Sequence, residues 1–305
     1  MKSLRFAGIV AAACAFAVGQ VQPNPNSNAK PYQYFRLGNA QAITVKTTPG
    51  FALMGGGKDL DAAFRWLCSH GQGGDFLVIR HSGDDAYNPY IQKLCKLNSV
   101  ATIVLPTRAA AQDAFVSQKV REAAVIFIAG GDQAKYWNDW AGTPLQAALN
   151  EHIAQGRAIG GTSAGLAVLG GWVYTARGDQ PDGPDLTSKI ALADPYGEQI
   201  TVDHEFLKIP LLRGILTDTH FARRDRMGRS LVFLARIEKE TGKPAREIAI
   251  DERSAFALDA DGTGTVLGTT AVYFIKATQP PSVLQAGKPL SMSGIEVQKA
   301  RPGMH

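Results

Sequence analysis

The chain has 305 residues, 45% of them hydrophobic and 19% charged, with a formal net charge of +5. These proportions suit a globular protein with a sizeable core and exclude a largely disordered chain. The basic excess is modest and no long basic stripe accompanies it, so no nucleic-acid partner is expected.

Lys2 and Arg5 precede an apolar run from Phe6 to Val18, and small residues follow at Ala15, Ala17 and Gly19. Charged, then apolar, then small is the order of a secretory signal. The run is too short to span a bilayer comfortably. We expect residues 1–19 to be a signal cleaved after Ala17 or Gly19, and the mature protein to be secreted or periplasmic. Cys14 raises the question of a lipoprotein, but Ala11 stands where such a signal carries a large aliphatic residue. Loss of Lys2 and Arg5 takes the formal charge from +5 to +3. Loss of Cys14 leaves Cys68 and Cys95. An oxidising compartment permits a disulfide between them, but two separate buried thiols fit the sequence equally well. Residues 20–34, rich in Pro, Asn and Gln, read as a flexible leader. Residues 35–305 read as one domain. No later apolar run reaches membrane-spanning length, so no membrane contact is expected after processing.

From there the chain alternates strand and helix patterns. Phe51–Met54 is a short apolar run that ends in Gly55-Gly56-Gly57. Asp61 to His70 has helical spacing. Phe76–Ile79, Ala101–Leu105 and Ala124–Ile128 are apolar, β-branched-rich runs of strand length. Continuous apolar strands are buried on both faces, the mark of a mostly parallel sheet with helices on each side. Thr143 and Pro144 begin a helix. Leu145, Ala148 and Leu149 lie on one face of it, and Gly156 stops it. His152 continues the apolar face and reads as a packed helix residue.

A short strand then runs into Gly161-Thr162-Ser163-Ala164-Gly165, and an apolar segment follows. This is G-x-S-x-G in strand-to-helix context. A nucleophile at a sharp turn sits on strained backbone, so its neighbours must be nearly free of side chains. The turn would expose the Ser163 oxygen and aim the N–H of Ala164 at the attacked carbonyl's oxygen. The alternative is a small-residue turn that packs a helix close to a sheet. A serine needs a base. Among six histidines, His220 stands out, because it follows the apolar run Leu211 to Leu216 and precedes a helix-like stretch ending near Gly242. A strand's C-terminal end faces the same rim as the nucleophile turn in an open parallel sheet.

Several segments together resemble the cyanophycinases of the dipeptidase E clan, peptidase family S51. Gly130-Gly131-Asp132-Gln133 is similar to that family's G-G-D-Q turn, and Gly161 to Gly165 to its G-T-S-A-G elbow. Asp218, His220 and Phe221 resemble D-x-H-F, Arg224, Arg226 and Arg229 its arginine series, and Asp251-Glu252 its acidic pair. All stand in family order, within roughly residues 50–275.

The resemblance implies a flavodoxin-like α/β three-layer sandwich related to class I glutamine amidotransferases. It implies Ser163 as nucleophile, His220 as base and Glu252 as the acid that orients the base. Gly131 and Ala164 would form the oxyanion hole. Gln133, Asp218, Thr219, Arg224, Arg226 and Arg229 would surround the substrate. The substrate implied is a polypeptide rich in aspartate and arginine, cyanophycin, cut to β-Asp-Arg dipeptides through an acyl-enzyme. No cofactor or metal is expected, and a homodimer is one option for assembly. The chemistry agrees. A serine hydroxyl needs an imidazole to take its proton, a carboxylate must fix that imidazole, and guanidinium groups grip carboxylates.

Two departures stand out. Thr219 replaces a Gln common in the family. The stretch from Gly178 to Pro195, with Asp179, Asp182, Asp185 and Asp194, reads as an extended loop near the site, and its spacing fits no calcium loop. Three other readings compete. An aspartyl dipeptidase of the same clan is a close variant. An α/β-hydrolase esterase would need its His after its acid, and the only late histidine is His305. A non-catalytic binding protein need not keep Ser, His and Glu in register.

Overall fold

The computed structural model describes residues 29–180 and 183–304. The expected signal segment, most of the expected leader, Asp182 and His305 lie outside the described residues.

In chain order the strands and helices of the first half are β1 (Gln33–Gly38), β2 (Gly50–Met54), α1 (Asp61–His70), β3 (Asp75–Arg80), α2 (Tyr87–Leu94), β4 (Ser99–Val104), α3 (Arg108–Gln112), α4 (Ala114–Glu122), β5 (Val125–Ile128), α5 (Gln133–Trp140), α6 (Pro144–Ala154), β6 (Ala158–Thr162) and α7 (Ala164–Ala167). The second half adds β7 (Trp172–Tyr174), α8 (Ser188–Ala193), β8 (Val202–His204), β9 (Ile215–Asp218), α9 (Met227–Thr241), β10 (Arg246–Ile250), β11 (Ser254–Asp259), β12 (Gly264–Gly268), β13 (Val272–Ala277) and β14 (Ile295–Ala300).

An eight-stranded sheet runs β1-β4-β3-β5-β6-β2-β11-β12. Its centre, β4-β3-β5-β6-β2, is parallel throughout. The flanking pairs are antiparallel. β4, β5 and β6 are buried along their whole length, as their continuous apolar or small-residue sequences require. Helices cover both faces of this sheet. Phe64 and Leu67 of α1 pack with Phe76 and Phe127 on one side, and Leu145 and Leu149 of α6 pack with Ile126 and Ile159 on the other. The α/β sandwich expected from the sequence is therefore present.

Beside it stands a second, six-stranded sheet, β14-β13-β10-β9-β7-β8, which the strand patterns alone do not predict. Only β10-β9 and β9-β7 are parallel in it. Phe256 of β11 meets Phe274 of β13 edge-on at 5.3 Å, joining the two sheets. The C-terminal ends of β9 and β10 deliver the segments that carry His220 and Glu252.

Local details refine the sequence expectations. β1 begins at Gln33 and pairs with β4 from Gln33↔Val104, so the leader expected over residues 20–34 ends before Tyr34. Helix α1 has the expected bounds. Thr143 occupies the N-cap of α6, but its hydroxyl donates to the Trp140 carbonyl at 2.6 Å instead of capping. His152 is buried, bonded to the Ala158 carbonyl at 3.0 Å, and burial holds its imidazole down to about 4. The segment from Gly178 to Pro195 is not loop throughout. It contains α8, tied down where the Ser188 N–H and hydroxyl both donate to the Asp225 carbonyl.

Cys68 and Cys95 are joined, linking α1 to the end of α2 across a separation of 27 residues. Closing a loop of that length restricts the unfolded chain and stabilises the fold by about 3 kcal/mol in the entropic account. Replacing both cysteines with serine should lower the unfolding free energy by about that amount. Denaturant titration of the two forms, with reductant added to the wild type as a second arm, measures it. Equal midpoints in all arms would refute a stabilising role.

Candidate active site

Five segments meet at one rim because the strands that feed them are parallel. β6 ends at Thr162, and Ser163 follows with φ 52° and ψ −122° before α7 begins. That left-handed conformation is costly for a non-glycine residue and persists only where the surroundings over-determine it. They do so here. A Cβ on Gly161 would lie 2.4 Å from the Gly165 carbonyl oxygen, and one on Gly165 would lie 2.0 Å from the Ile128 carbonyl oxygen. The turn is that tight, which is why the motif needs both glycines.

The Ser163 hydroxyl lies 2.7 Å from His220 Nε2, and His220 Nδ1 lies 2.8 Å from Glu252 Oε1. His220 also has a positive φ of 48°. With Nδ1–H donating to the carboxylate, Nε2 is left as acceptor for the serine proton. Burial pushes the His220 imidazole down. The Glu252 hydrogen bond pulls it up, the Arg224 and Arg226 charges push it down again, and the net shift is down. The imidazole is therefore neutral and able to act as a base near neutral pH. The hydrogen bond from His220 holds the Glu252 carboxyl below its ordinary range, with Arg224 and Arg223 adding to the effect.

The Gly55-Gly56-Gly57 turn after β2, read from the sequence only as the end of a strand, turns out to hold the triad. The Ser163 N–H donates to Met54 O at 3.1 Å, the His220 N–H to Gly55 O at 2.8 Å, and the Arg253 N–H, next to Glu252, to Gly56 O at 3.0 Å. A Cβ on Gly56 would lie 2.4 Å from His220 Cε1, and one on Gly57 3.1 Å from the Glu252 Cβ. Three glycines in a row after a strand were the available signal.

The two candidate oxyanion donors stand at the turns after β5 and β6. Ala164 is the first residue of α7, so its N–H has no acceptor within the helix. Gly130 lies beside the nucleophile, since a Cβ there would be 3.4 Å from the Ser163 Cβ. Gly131 follows it, and Asp132 caps α5 by accepting from the Ala134 N–H at 2.9 Å. Gln133 opens that helix, half-buried.

The expected substrate residues divide into two groups. Asp218 and Arg229, each 2% exposed, lie beneath the site. Arg229 grips the Asp218 carboxylate with two bonds, Nε at 2.8 Å and Nη2 to the other oxygen, and its guanidinium lies 4.7 Å from the Tyr174 ring. Buried, with Nε and Nη2 both committed to Asp218, Arg229 is support and not a substrate contact, which corrects that expectation; the same holds for Asp218. Burial pushes the Asp218 carboxyl up, but Arg229 and Arg226 outweigh it and the net shift is down. Burial, and then the neighbouring Asp218 charge, push the Glu247 carboxyl well up. Arg226 bridges the two groups. Its Nη1 donates to the Thr219 carbonyl at 2.9 Å and hydroxyl at 3.1 Å, while its Nε is buried without a partner among the described residues. Burial and the Arg229 charge hold it down to about 10. Thr219 is thus occupied from below.

Arg224 belongs to the open group. It is exposed, 3.4 Å from Asp185. Arg223 and Arg253 line a depression of about 550 Å³ beside Glu252, and neither guanidinium pairs with a carboxylate among the described residues. Asp251 and Glu252 line the same depression, so it carries two guanidinium groups and two carboxylates. A depression of about 620 Å³ near Ile43, Lys119 and Arg157 lies at the opposite ends of the strands and holds none of these residues.

The model of peptidase family S51 matches residues 82–193, a stretch that includes Gly131, Gln133, Ser163 and Ala164. The chain is 29% identical over 180 residues to a cyanophycinase of Synechococcus elongatus, covering 59% of this chain and 50% of that protein. It is 26% identical over 225 residues to a cyanophycinase of Geminocystis herdmanii, covering 72% and 75%. The chain is thus similar to peptidase family S51 over residues 82–193 and to cyanophycinases at 26–29% identity. The match spans about half the length of the first of those relatives. The crystal structure of a peptidase from an acI-B1 Actinobacterium superposes with a TM-score of 0.55 at 18% identity, covering 85% of this chain and 96% of that one, and shows the shared fold.

Two predictions come from the site's electrostatics. If His220 is the base, kcat/KM should rise with pH through a limb below 6.5, the ordinary value from which its pKa is lowered. Glu252→Gln removes an upward pull, so the limb should move lower as the maximum rate falls. Arg224→Gln removes a downward push, so its limb should move up. Limbs that stay put in both variants, followed by pH–rate profiles, would remove His220 from that role. Asp218→Asn leaves two buried guanidinium groups without a counter-charge and should cost about 3–5 kcal/mol. Arg224→Ala should cost less than about 1 kcal/mol, since its ion pair is exposed. Denaturant titration separates the two, and similar losses would contradict the division into support and rim.

Proposed function

We propose that the protein is a serine peptidase that hydrolyses cyanophycin, releasing β-Asp-Arg dipeptides. The observation that carries this reading is the unbroken Ser163–His220–Glu252 chain, with contacts of 2.7 and 2.8 Å, set at a strained turn. The exposed guanidinium groups of Arg223 and Arg253, neither paired with a carboxylate among the described residues, support a substrate that carries carboxylates. The names of the relatives at 26–29% identity support cyanophycin in particular.

The reaction follows from the groups present. His220 Nε2 takes the proton of the Ser163 hydroxyl as Oγ attacks the scissile carbonyl carbon. The new C–O bond forms, and the carbonyl electron pair moves to oxygen, which the Gly131 and Ala164 N–H groups receive. His220 then gives its proton to the leaving nitrogen, the C–N bond breaks, and an acyl-enzyme remains. Water, losing a proton to His220, attacks the ester carbonyl; the C–O bond to Ser163 breaks as His220 returns that proton to Oγ, releasing the acid and the free serine. Glu252 stays ionised and holds the imidazole throughout. Export of the protein is part of the same reading, supported by the tripartite pattern of residues 1–19 and by the Cys68–Cys95 bridge.

Incubation of the mature protein with cyanophycin, with products identified by mass, tests the proposal. β-Asp-Arg should accumulate, and Ser163→Ala should lower turnover by roughly a thousandfold or more while leaving the fold intact. Release of free arginine without dipeptide, or turnover surviving in Ser163→Ala, would sink it.

A further inference from the structure

Tyr136 takes no part in the reaction described above, yet its hydroxyl lies under the turn that carries one oxyanion donor. It donates to two consecutive carbonyls, Ala129 at 2.9 Å and Gly130 at 3.0 Å. The Gly130 carbonyl and the Gly131 N–H belong to one peptide unit. A trans peptide is planar, with its C=O and N–H pointing in opposite directions. A donor that fixes the oxygen on one side therefore fixes the direction of the N–H on the other. Resting on the proposed peptidase reaction, we propose that Tyr136 is a positioning residue for the oxyanion hole, its hydroxyl setting the peptide plane whose N–H at Gly131 receives the charge of the tetrahedral intermediate.

The hydroxyl has little freedom to do anything else. Tyr136 is fully buried. Its ring stacks on Trp140 at 4.3 Å with the planes 9° apart, and the Trp140 indole N–H is held by the Leu105 carbonyl at 3.4 Å. The helix carrying both rings is pinned at its start by the Asp132 cap. Burial raises the phenol's pKa, so it remains a donor across the working range. The turn sits so close to the hydroxyl that a Cβ on Gly131 would lie 2.7 Å from it. Gly131 does not have a positive φ. Glycine is needed there by the contact and not by its backbone angles. A hydrogen bond to a peptide oxygen also polarises the unit and strengthens its N–H as a donor.

Tyr136→Phe keeps the ring and removes only the hydroxyl. A missing oxyanion donor costs about a hundred- to a thousandfold in kcat. Here the donor stays but loses its alignment, so kcat on cyanophycin should fall roughly tenfold with KM within about twofold. The acid limb of the pH profile should not move, because His220 is untouched. The rate at which a fluorophosphonate labels Ser163 should fall by a similar factor, since the phosphoryl oxygen draws on the same donors. That arm needs no knowledge of the natural substrate. Labelling of the wild type without cyanophycin turnover would therefore count against the substrate and leave this inference to be judged on the labelling rates. Absence of labelling in the wild type would sink both. A folded Tyr136→Phe protein with unchanged kcat and labelling rate, or with kcat and KM altered in step, overturns the inference. So does a variant that only melts earlier. Gly131→Ala supplies an independent arm. Its methyl and the hydroxyl cannot both keep their places, so adding Tyr136→Phe to it should cost little further activity. Fully additive losses overturn the inference.

Discussion

Everything at the site depends on one backbone turn, Met54 to Gly57. Three successive carbonyls there accept N–H groups from three separate segments: Ser163, His220 and the residue after Glu252. These segments leave strands of two different sheets, so no single element could hold them in register. The turn does it with main-chain atoms. Main-chain atoms can approach that closely only where side chains are missing, as the positions of a Cβ on Gly56 and Gly57 show. The strain at Ser163 and His220, both with positive φ, is sustained by these bonds. A side chain in the turn would press on the imidazole directly.

How much of this could be read from the sequence depended on how local each feature is. Ser163 was legible because its requirement, two glycines around a strained residue, is written within five positions. The parallel core of β3, β4 and β5 was legible because strands buried on both faces must be apolar without interruption. Helix α1 was legible through its spacing. The second sheet was not, because β7 and β8 are three residues long and β14 is largely exposed, so none shows a decisive pattern. The disulfide was left open because pairing depends on distance alone. The Asp218, Arg226 and Arg229 charges looked alike in sequence, and burial separates them. Charged residues are expected at the surface, and only the mutual pairing explains why these are not. Thr143 shows the converse: a residue type suited to a cap, placed at a cap, yet bonded to Trp140 instead.

The buried charges under the site also set the state of the base above them. Asp218 is held down by both Arg229 and Arg226, while burial and the Asp218 charge push Glu247 up. Two guanidinium groups thus share the Asp218 carboxylate, and burial, then the Arg229 charge, hold Arg226 down. The surplus positive charge reaches His220, where Arg226 and Arg224 oppose the pull of Glu252. A carboxylate brought in by a ligand between those arginines would cancel their effect on the imidazole and leave that of Glu252. The proton affinity of His220 would then rise at the moment it must accept a proton from Ser163. Burial first, and then these same charges, hold the imidazole down against the pull of Glu252, and a ligand carboxylate would offset only the second.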